Sequence, residues 1–169
     1  STAINFAKLL EFCALSQPKI RIRFSTSNPQ DMSIDVIKIM AKYNNICNHI
    51  HLPVQSGSNK ILKAMNRQHT REEYIDLIKN IKNIIPECSI SHDMIVGFPG
   101  ETEDDHKKTL QLMDTVKYSF GYMFKYSERP GTLAHRKLKD DVEESTKKRR
   151  LNEIVQLQQK HSLIRTKEF

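Results

Sequence analysis

The sequence has no tryptophan, three cysteines, five glycines and six prolines among 169 residues, and each scarcity closes off a class. Cys13, Cys47 and Cys88 lie far apart and are odd in number, so they form neither a disulfide framework nor a complete local metal motif. They suit a reducing cytoplasm, and their simplest reading is three buried small apolar side chains. So few glycines and prolines exclude a collagen-like or low-complexity chain. Long apolar runs are missing too: runs such as Met94-Ile95-Val96 are only a few residues long, against roughly 20 needed to cross a bilayer, so no membrane span is expected. The stretch 1–6 has neither a basic start nor an apolar signal segment and reads as the approach to a helix, which predicts a chain cut from a longer one. There is no G-x-S-x-G elbow, no glycine-rich phosphate loop and no internal repeat, which removes the usual signals for acyl transfer to serine and for P-loop chemistry.

What is present is an ordinary globular composition, 38% apolar and 28% charged, with a net charge of +7. The pI near 9.3 favours an anionic partner such as RNA over an acidic protein, although many basic domains are merely soluble.

Hydrophobic periodicity alternates along the chain. Ile20, Ile22 and Phe24 share one face and predict a strand over 20–24. A helix follows, capped by Asp31 or Ser33, with an apolar stripe of Ile34, Val36, Ile37, Met40 and Tyr43. Ile50, Leu52 and Val54 alternate with polar residues, predicting a strand over 49–55 that Pro53 weakens. A short helix over 59–65 comes next. A longer one opens at Thr70, with Glu73 placed for a capping box, and stops at Pro86. A third strand is expected over 89–96. Thr102 then caps a helix with Glu103, Asp104 and Asp105 in its first turn, a fourth strand covers 120–126, and a long charged helix covers 142–165.

Strands separated by helices must run parallel, because each helix carries the chain back before the next strand begins. The fold class is therefore α/β, and ligands in such folds sit at the carboxyl ends of the strands. Four segments occupy those ends: Ser25-Thr26-Ser27, Gln55-Ser56-Gly57-Ser58, Gly97-Phe98-Pro99-Gly100 and Tyr126-Ser127-Glu128-Arg129. All are polar or glycine-rich, as a site for a polar ligand requires; turn geometry and helix capping call for the same residues. Elsewhere the chemistry is sparse. His49 and His51 share one side of a strand without a third ligand nearby and read as packing. His92-Asp93 offers a proton relay, with Asp93 better placed to hydrogen-bond a ligand, and Lys147-Lys148-Arg149-Arg150 reads as a solvated helix face ahead of a phosphate contact.

His51-Leu52-Pro53-Val54-Gln55-Ser56-Gly57-Ser58, the segment Asp93-Met94-Ile95-Val96-Gly97-Phe98-Pro99-Gly100-Glu101-Thr102, and Phe124-Lys125-Tyr126-Ser127-Glu128-Arg129-Pro130-Gly131-Thr132 stand in an order and spacing that resembles radical S-adenosylmethionine methylthiotransferases. The resemblance extends over nearly the whole chain. It is nearest to the MiaB type, which modifies N(6)-isopentenyladenosine beside the tRNA anticodon. Sister enzymes act on threonylcarbamoyladenosine in tRNA or on an aspartate of a ribosomal protein.

The resemblance implies a partial (βα)6 TIM-like barrel with parallel strands, of which this chain holds the third to sixth, about four βα units. Residues 1–135 would form the partial barrel, and 136–169 the charged helix closing it in a single domain. The CxxxCxxC motif for the radical-generating 4Fe-4S cluster, the domain ligating a second cluster and the C-terminal RNA-binding domain would lie outside, so these residues alone should not catalyse. In the family a reduced cluster cleaves S-adenosylmethionine to a radical that removes the C-2 hydrogen of adenine, while the auxiliary cluster supplies a methylated sulfur. An electron donor, the tRNA anticodon stem-loop and a cytoplasmic location follow. Asp93, Ile95 and Gly97 resemble the adenine-supporting strand, although the family pattern has a glycine at the place of Asp93 and a glutamate one place before Glu101. Gln55, Ser56, Tyr126 and Ser127 would contact the methionyl or ribose part. A sheet edge left open by missing strands could pair with a second copy in a non-native dimer. The reading from another class is a non-catalytic basic module that binds RNA or a protein through its charged C-terminal helix.

Overall fold

The computed structural model describes residues 5–25 and 28–167. Helices begin where a side chain satisfies the unbonded backbone N–H groups of a first turn. Asn5 caps α1 (Phe6–Ser16), and Ser33, not Asp31, caps α2 (Ile34–Lys42). A short α3 (Asn59–Ala64) has no side-chain cap, whereas α4 (Arg71–Ile84) starts with the full capping box of Thr70 and Glu73. Thr102 and Asp105 form a second box at the start of α5 (Glu103–Val116), where three acids complement the positive end of the helix. Thr132 caps a one-turn α6 (Leu133–Lys137) that the periodicity does not announce, and α7 (Glu144–Lys167) ends the described chain.

Three strands, β1 (His49–His51), β2 (Ser89–Val96) and β3 (Phe120–Lys125), form a parallel sheet in the order β1-β2-β3. Its register pairs Ile50 with Ile90 and Ile95 with Phe124. The strand expected over 20–24 is reduced to a single parallel bridge between Ile22 and Ile46; Ile20, Arg21 and Arg23 are exposed, and Ile22 and Phe24 are half-buried against the core. The strand expected over 49–55 is interrupted. It ends at His51, Pro53 has no N–H to give, and the ladder resumes where Gln55 bridges Met94.

One face of the sheet is packed. Ile50, Leu52, Val54, Ile90, Met94 and Val96 meet Tyr74, Ile78 and Ile81 of α4, Leu112 and Met113 of α5 and Ile154 of α7. Each fully buried side chain of this kind stabilises the fold by roughly 1.5–3 kcal/mol. α7 lies along β3 and β2 and against α5, while α4 packs on α2 and α5. The packing of β3 on β2 is close: a Cβ on Gly121 would come within 2.2 Å of His92 Nε2. His92 contacts Gln158 Oε1 at 3.0 Å and the Tyr118 ring at a centroid distance of 4.2 Å. Burial pushes its imidazole down to about 4. Its neighbour Asp93 points to the opposite face, so the pleat rules out a relay between the two.

Two further expectations change. Cys88 is buried, with burial pushing its thiol up to about 11, but Cys47 is half-buried and Cys13 is exposed on α1, one turn before the helix end. The 147–150 run is a solvated face only in part. Lys147 and Arg150 are each 4% exposed and paired with Asp140 and Glu101, whereas Lys148 and Arg149 are exposed, Arg149 bridging Glu103 and Glu153. Asp140 before α7 and Glu101 before α5 hold the two buried cations, so the solvated face expected of the run applies to Lys148 and Arg149 alone.

Candidate functional site

The other face of the sheet is open and polar. From β1 and β2, side chains of period two place His49, Ser89, His51, Ser91 and Asp93 in a row. Ser89 Oγ lies 2.8 Å from His49 Nδ1, His49 Nε2 is 3.4 Å from Ser91 Oγ, and Ser91 Oγ is 2.9 Å from His51 Nδ1. His51 Nε2 then lies 3.5 Å from Asp93 Oδ1. Beside this row, β3 turns Phe120, Tyr122 and Phe124 inward, 42%, 57% and 53% exposed, with Phe120 stacked on His49 at 5.4 Å. The two histidines read as packing therefore stand in a continuous polar row that ends at the carboxyl end of the sheet.

At that end two hollows of about 480 and 530 Å³ adjoin, sharing Gln55, Ile95, Phe98, Thr132 and Ala134 in their walls. The first is mainly apolar, with Met65, Leu133 and Leu138. The second adds Asp93, Phe124, Tyr126, Ser127 and Arg129. The sizes match pockets that take a nucleoside-sized ligand.

Of the seven residues singled out from the sequence, five meet here: Gln55, Asp93, Ile95, Tyr126 and Ser127. Gln55 holds a left-handed backbone, φ 74°, rare for so large a residue. Its N–H donates to Asp93 O (2.9 Å) and its carbonyl accepts from Ile95 N–H (2.9 Å), so the ladder to β2 fixes the strained conformation. Strain of about 1–3 kcal/mol at such a position persists where the surroundings over-determine it and gathers at functional sites. Tyr126 Oη is buried without a hydrogen-bond partner among the described residues. Burial pushes its phenol up, with Glu128 and Asp140 adding to the effect. Burial also lowers the Arg67 guanidinium, whose end of the first hollow feels the field of Asp93.

Ser56 and Gly97 lie behind the cavity wall. Ser56 is fully buried, its Oγ 3.4 Å from Thr109 Oγ1 on α5 and accepting from Ser58 N–H. Ser58 in turn donates to Asp105 (2.6 Å); burial raises that carboxyl, and bonds from Ser58, Thr102 and Lys60 overcome the effect and hold it far below the usual carboxylate range. Gly97 has φ 70°, and a Cβ there would meet Lys147 Cγ at 2.4 Å, so the glycine admits a side chain of α7. Arg67 and the whole of α6 were not singled out from the sequence, and Phe98 and Thr132 stood only within the strand-end and resemblance segments, not among the seven chosen residues. Asn66 with φ 57° and Gly131 with φ 85°, the turns that deliver them, were the available signals. Of the first strand-end segment, Ser25 borders a shallower hollow with Arg23, His49 and Tyr122, and Thr26 and Ser27 lie outside the described residues.

Among the described residues no group of three His, Cys, Asp or Glu side chains could hold a metal ion, and no helix is long and apolar enough to cross a membrane.

Curated relatives named tRNA-2-methylthio-N(6)-dimethylallyladenosine synthase match almost the entire chain. The one from Christiangramia forsetii is 72% identical over 96% of the chain, that from Flavobacterium johnsoniae 66% over 100%, and that from Bacteroides fragilis 51% over 94%. The chain spans about a third of their length, 34%, 35% and 35% respectively. Among solved structures, coproporphyrinogen III oxidase from Escherichia coli, a radical SAM enzyme, superposes with a TM-score of 0.65 over 79% of the chain and 31% of its own, at 23% identity. Archaeal Elp3 from Methanocaldococcus infernus gives 0.54 over 64% of the chain and 25% of its own, also at 23%. These two likenesses concern the fold. With the Radical SAM superfamily model matching residues 2–113, and with this parallel sheet and its strand-end cavity, the chain belongs to the radical SAM superfamily.

Proposed function

We propose that the strand-end cavity takes S-adenosylmethionine, and that the protein to which these residues contribute adds a methylthio group to C-2 of N(6)-isopentenyladenosine beside the anticodon of tRNA. The observation that carries this reading is identity of up to 72% to synthases of the methylthiolated nucleoside across a segment that builds the cavity wall.

The residues present fit the cofactor. Ile95 and Phe98 offer an apolar face against which an adenine can lie, and Phe98 meets Tyr126 edge to face at 5.1 Å, closing the wall. Gln55, Asp93, Ser127 and Thr132 present donors and acceptors of the kind ribose hydroxyls and an amino acid terminus need. Tyr126 Oη, buried and unbonded among the described residues, is a donor awaiting an acceptor. When bound, S-adenosylmethionine supplies the carbon radical for hydrogen abstraction and a methyl group; the side chains here orient it and keep water from its apolar face. Iron–sulfur clusters are different. Cys13 on α1, half-buried Cys47 and Cys88 beneath the sheet do not come together, so the described residues do not fit a cluster. In this reading the ligands of both 4Fe-4S clusters come from other parts of a longer protein, which also meets the electron donor and much of the tRNA. Residues 1–135 act as the barrel portion and 136–169 as the helix closing it, in the cytoplasm.

The test is nucleoside mass spectrometry of total tRNA from cells with and without the full-length gene. Loss of the methylthio group from isopentenyladenosine alone is the expected outcome. If that nucleoside is unchanged the assignment fails, and loss from threonylcarbamoyladenosine or from a ribosomal protein transfers it to a sister reaction. In the full-length enzyme, Gln55→Ala should weaken S-adenosylmethionine binding at unchanged tRNA affinity; unaltered cofactor binding would remove Gln55 from the site.

A further inference from the structure

The cavity wall has two parts from different strands: β2 runs into the turn 97–101, which carries Phe98, and Tyr126 follows the end of β3. The ladder joins their backbones through Tyr126 N–H donating to the Val96 carbonyl (2.8 Å), and the turn and the Tyr126 ring lie beyond that last bond. Behind both stands one face of α7. Lys147 and Arg150 are three residues apart and so lie side by side on the helix, and both are nearly buried, at 4% exposure each.

Arg150 holds the first wall. Its Nη1 donates to Glu101 Oε1 (2.8 Å) and to the Glu101 carbonyl (3.1 Å), and Glu101 Oε1 also accepts from Gly97 N–H (2.9 Å). The carboxylate thus closes the turn from end to end, and the guanidinium fixes that closed turn to α7. A buried carboxylate can do this only while its countercharge is present. Lys147 bears on both walls. Its stem occupies the space beside Gly97 that any Cβ would fill, while its ammonium pairs with Asp140 and sits 5.5 Å from the centre of the Tyr126 ring. Asp141 continues the contact by accepting from Gly100 N–H (2.6 Å).

We propose that Lys147 and Arg150 are positioning residues for the cofactor cavity: one face of α7 holds the turn after β2 and the Tyr126 ring in place, and thereby the Phe98–Tyr126 wall against which the adenine lies. The family model ends at residue 113, so both residues lie beyond the matched segment and neither touches the cavity. The inference rests on the cofactor reading above, and its test separates the two.

In the full-length protein, Arg150→Met keeps the apolar stem and removes the charge, Arg150→Lys keeps the charge, and Lys147→Met keeps the stem against Gly97. Arg149→Met serves as the control, because Arg149 carries the same charge on the same turn and pairs with Glu153 and with Glu103, which Arg150 Nη2 also reaches at 3.2 Å, but touches neither Glu101 nor Asp140. Two measurements are read: amide hydrogen exchange of Gly97 and Tyr126, and equilibrium binding of S-adenosylmethionine together with the KM for it and for tRNA. Arg150→Met should accelerate exchange at Gly97. It should also weaken cofactor binding and raise its KM at least about tenfold, since small displacements of positioned groups have effects of that order or larger, with the KM for tRNA unchanged. Lys147→Met should do the same at Tyr126 with a smaller rise, Arg150→Lys should recover part of the loss, and Arg149→Met should resemble the parent. If Arg150→Met does not fold, Lys147→Met carries the test. Unchanged exchange and cofactor KM in a folded Lys147→Met or Arg150→Met variant, or an equal effect of Arg149→Met, overturns the proposal. Accelerated exchange in a protein that binds no S-adenosylmethionine overturns the cofactor reading and leaves the mechanical link standing.

Discussion

The two faces of the sheet obey opposite rules. On the helix-covered face the strands bury Ile50, Met94 and Val96 completely and hold the buried imidazole of His92 through its Nε2 contact with Gln158. On the open face the same strands expose Phe120, Tyr122 and Phe124 and carry a row of serines, histidines and an aspartate. Adjacent residues thus belong to different problems. Met94 is core and Ile95 lines the cavity, Gly121 makes room for the buried His92 ring and Tyr122 is exposed. The difference shows where stability is stored and where ligand chemistry is left to act.

That division can be tested by substitution, from the largest effect down. Met94→Ala should destabilise the fold by about 2–5 kcal/mol, measured by denaturant unfolding, because it opens a cavity on the packed face. Should Ile95→Ala, one residue on, cost as much, the division fails. Acid is the second probe. His92 is held down to about 4, while in the unfolded chain it titrates at an ordinary histidine pKa, so the unfolded state takes up the proton first. Stability therefore falls as pH drops from about 6.5 to about 4, by roughly 3 kcal/mol, and a His92→Gln variant should show a flatter pH dependence over that range. A third probe is Gln55→Gly. It relieves a left-handed backbone and should leave stability within about 1 kcal/mol of the parent or raise it, while cofactor binding weakens. A clear loss of stability would mean that the Gln55 side chain is structural. The smallest effect is expected from Phe124→Ala, under about 0.5 kcal/mol in unfolding because the ring is half exposed, with its influence confined to ligand affinity.

How much of this was legible in the sequence follows the same division. Helices that announce themselves by a cap, such as those opening at Thr70 and Thr102, and strands with a full complement of partners, such as β2, came out where the pattern put them. The 20–24 segment did not, since alternation records which residues prefer burial and says nothing of whether a neighbouring strand is there to pair with. For the site, strand-end position and resemblance located five residues that converge. Missing from that choice were those delivered by turns: Phe98, Arg67 and α6 enter the cavity through left-handed or glycine-dependent backbone that periodicity does not register. The basic run at 147–150 was misread in part, for a related reason. Its acidic partners, Glu101, Glu103 and Asp140, lie up to 49 residues away in sequence, and only the fold brings them together.

The Ser–His row on the open face has a direction. A carboxylate only accepts hydrogen bonds, so in the tautomer of His51 that turns its Nε2 hydrogen toward Asp93, Nδ1 accepts from Ser91. Ser91 then accepts from His49, and His49 from Ser89. In that arrangement every dipole in the series is turned the same way by one terminal residue, and the row is a polarised wire whose positive end faces the cavity. Exchanging Asp93 for an amide would leave each atom in place and remove the reason for that alignment, so that a single substitution at the mouth would be felt by a serine at the far end of the strand.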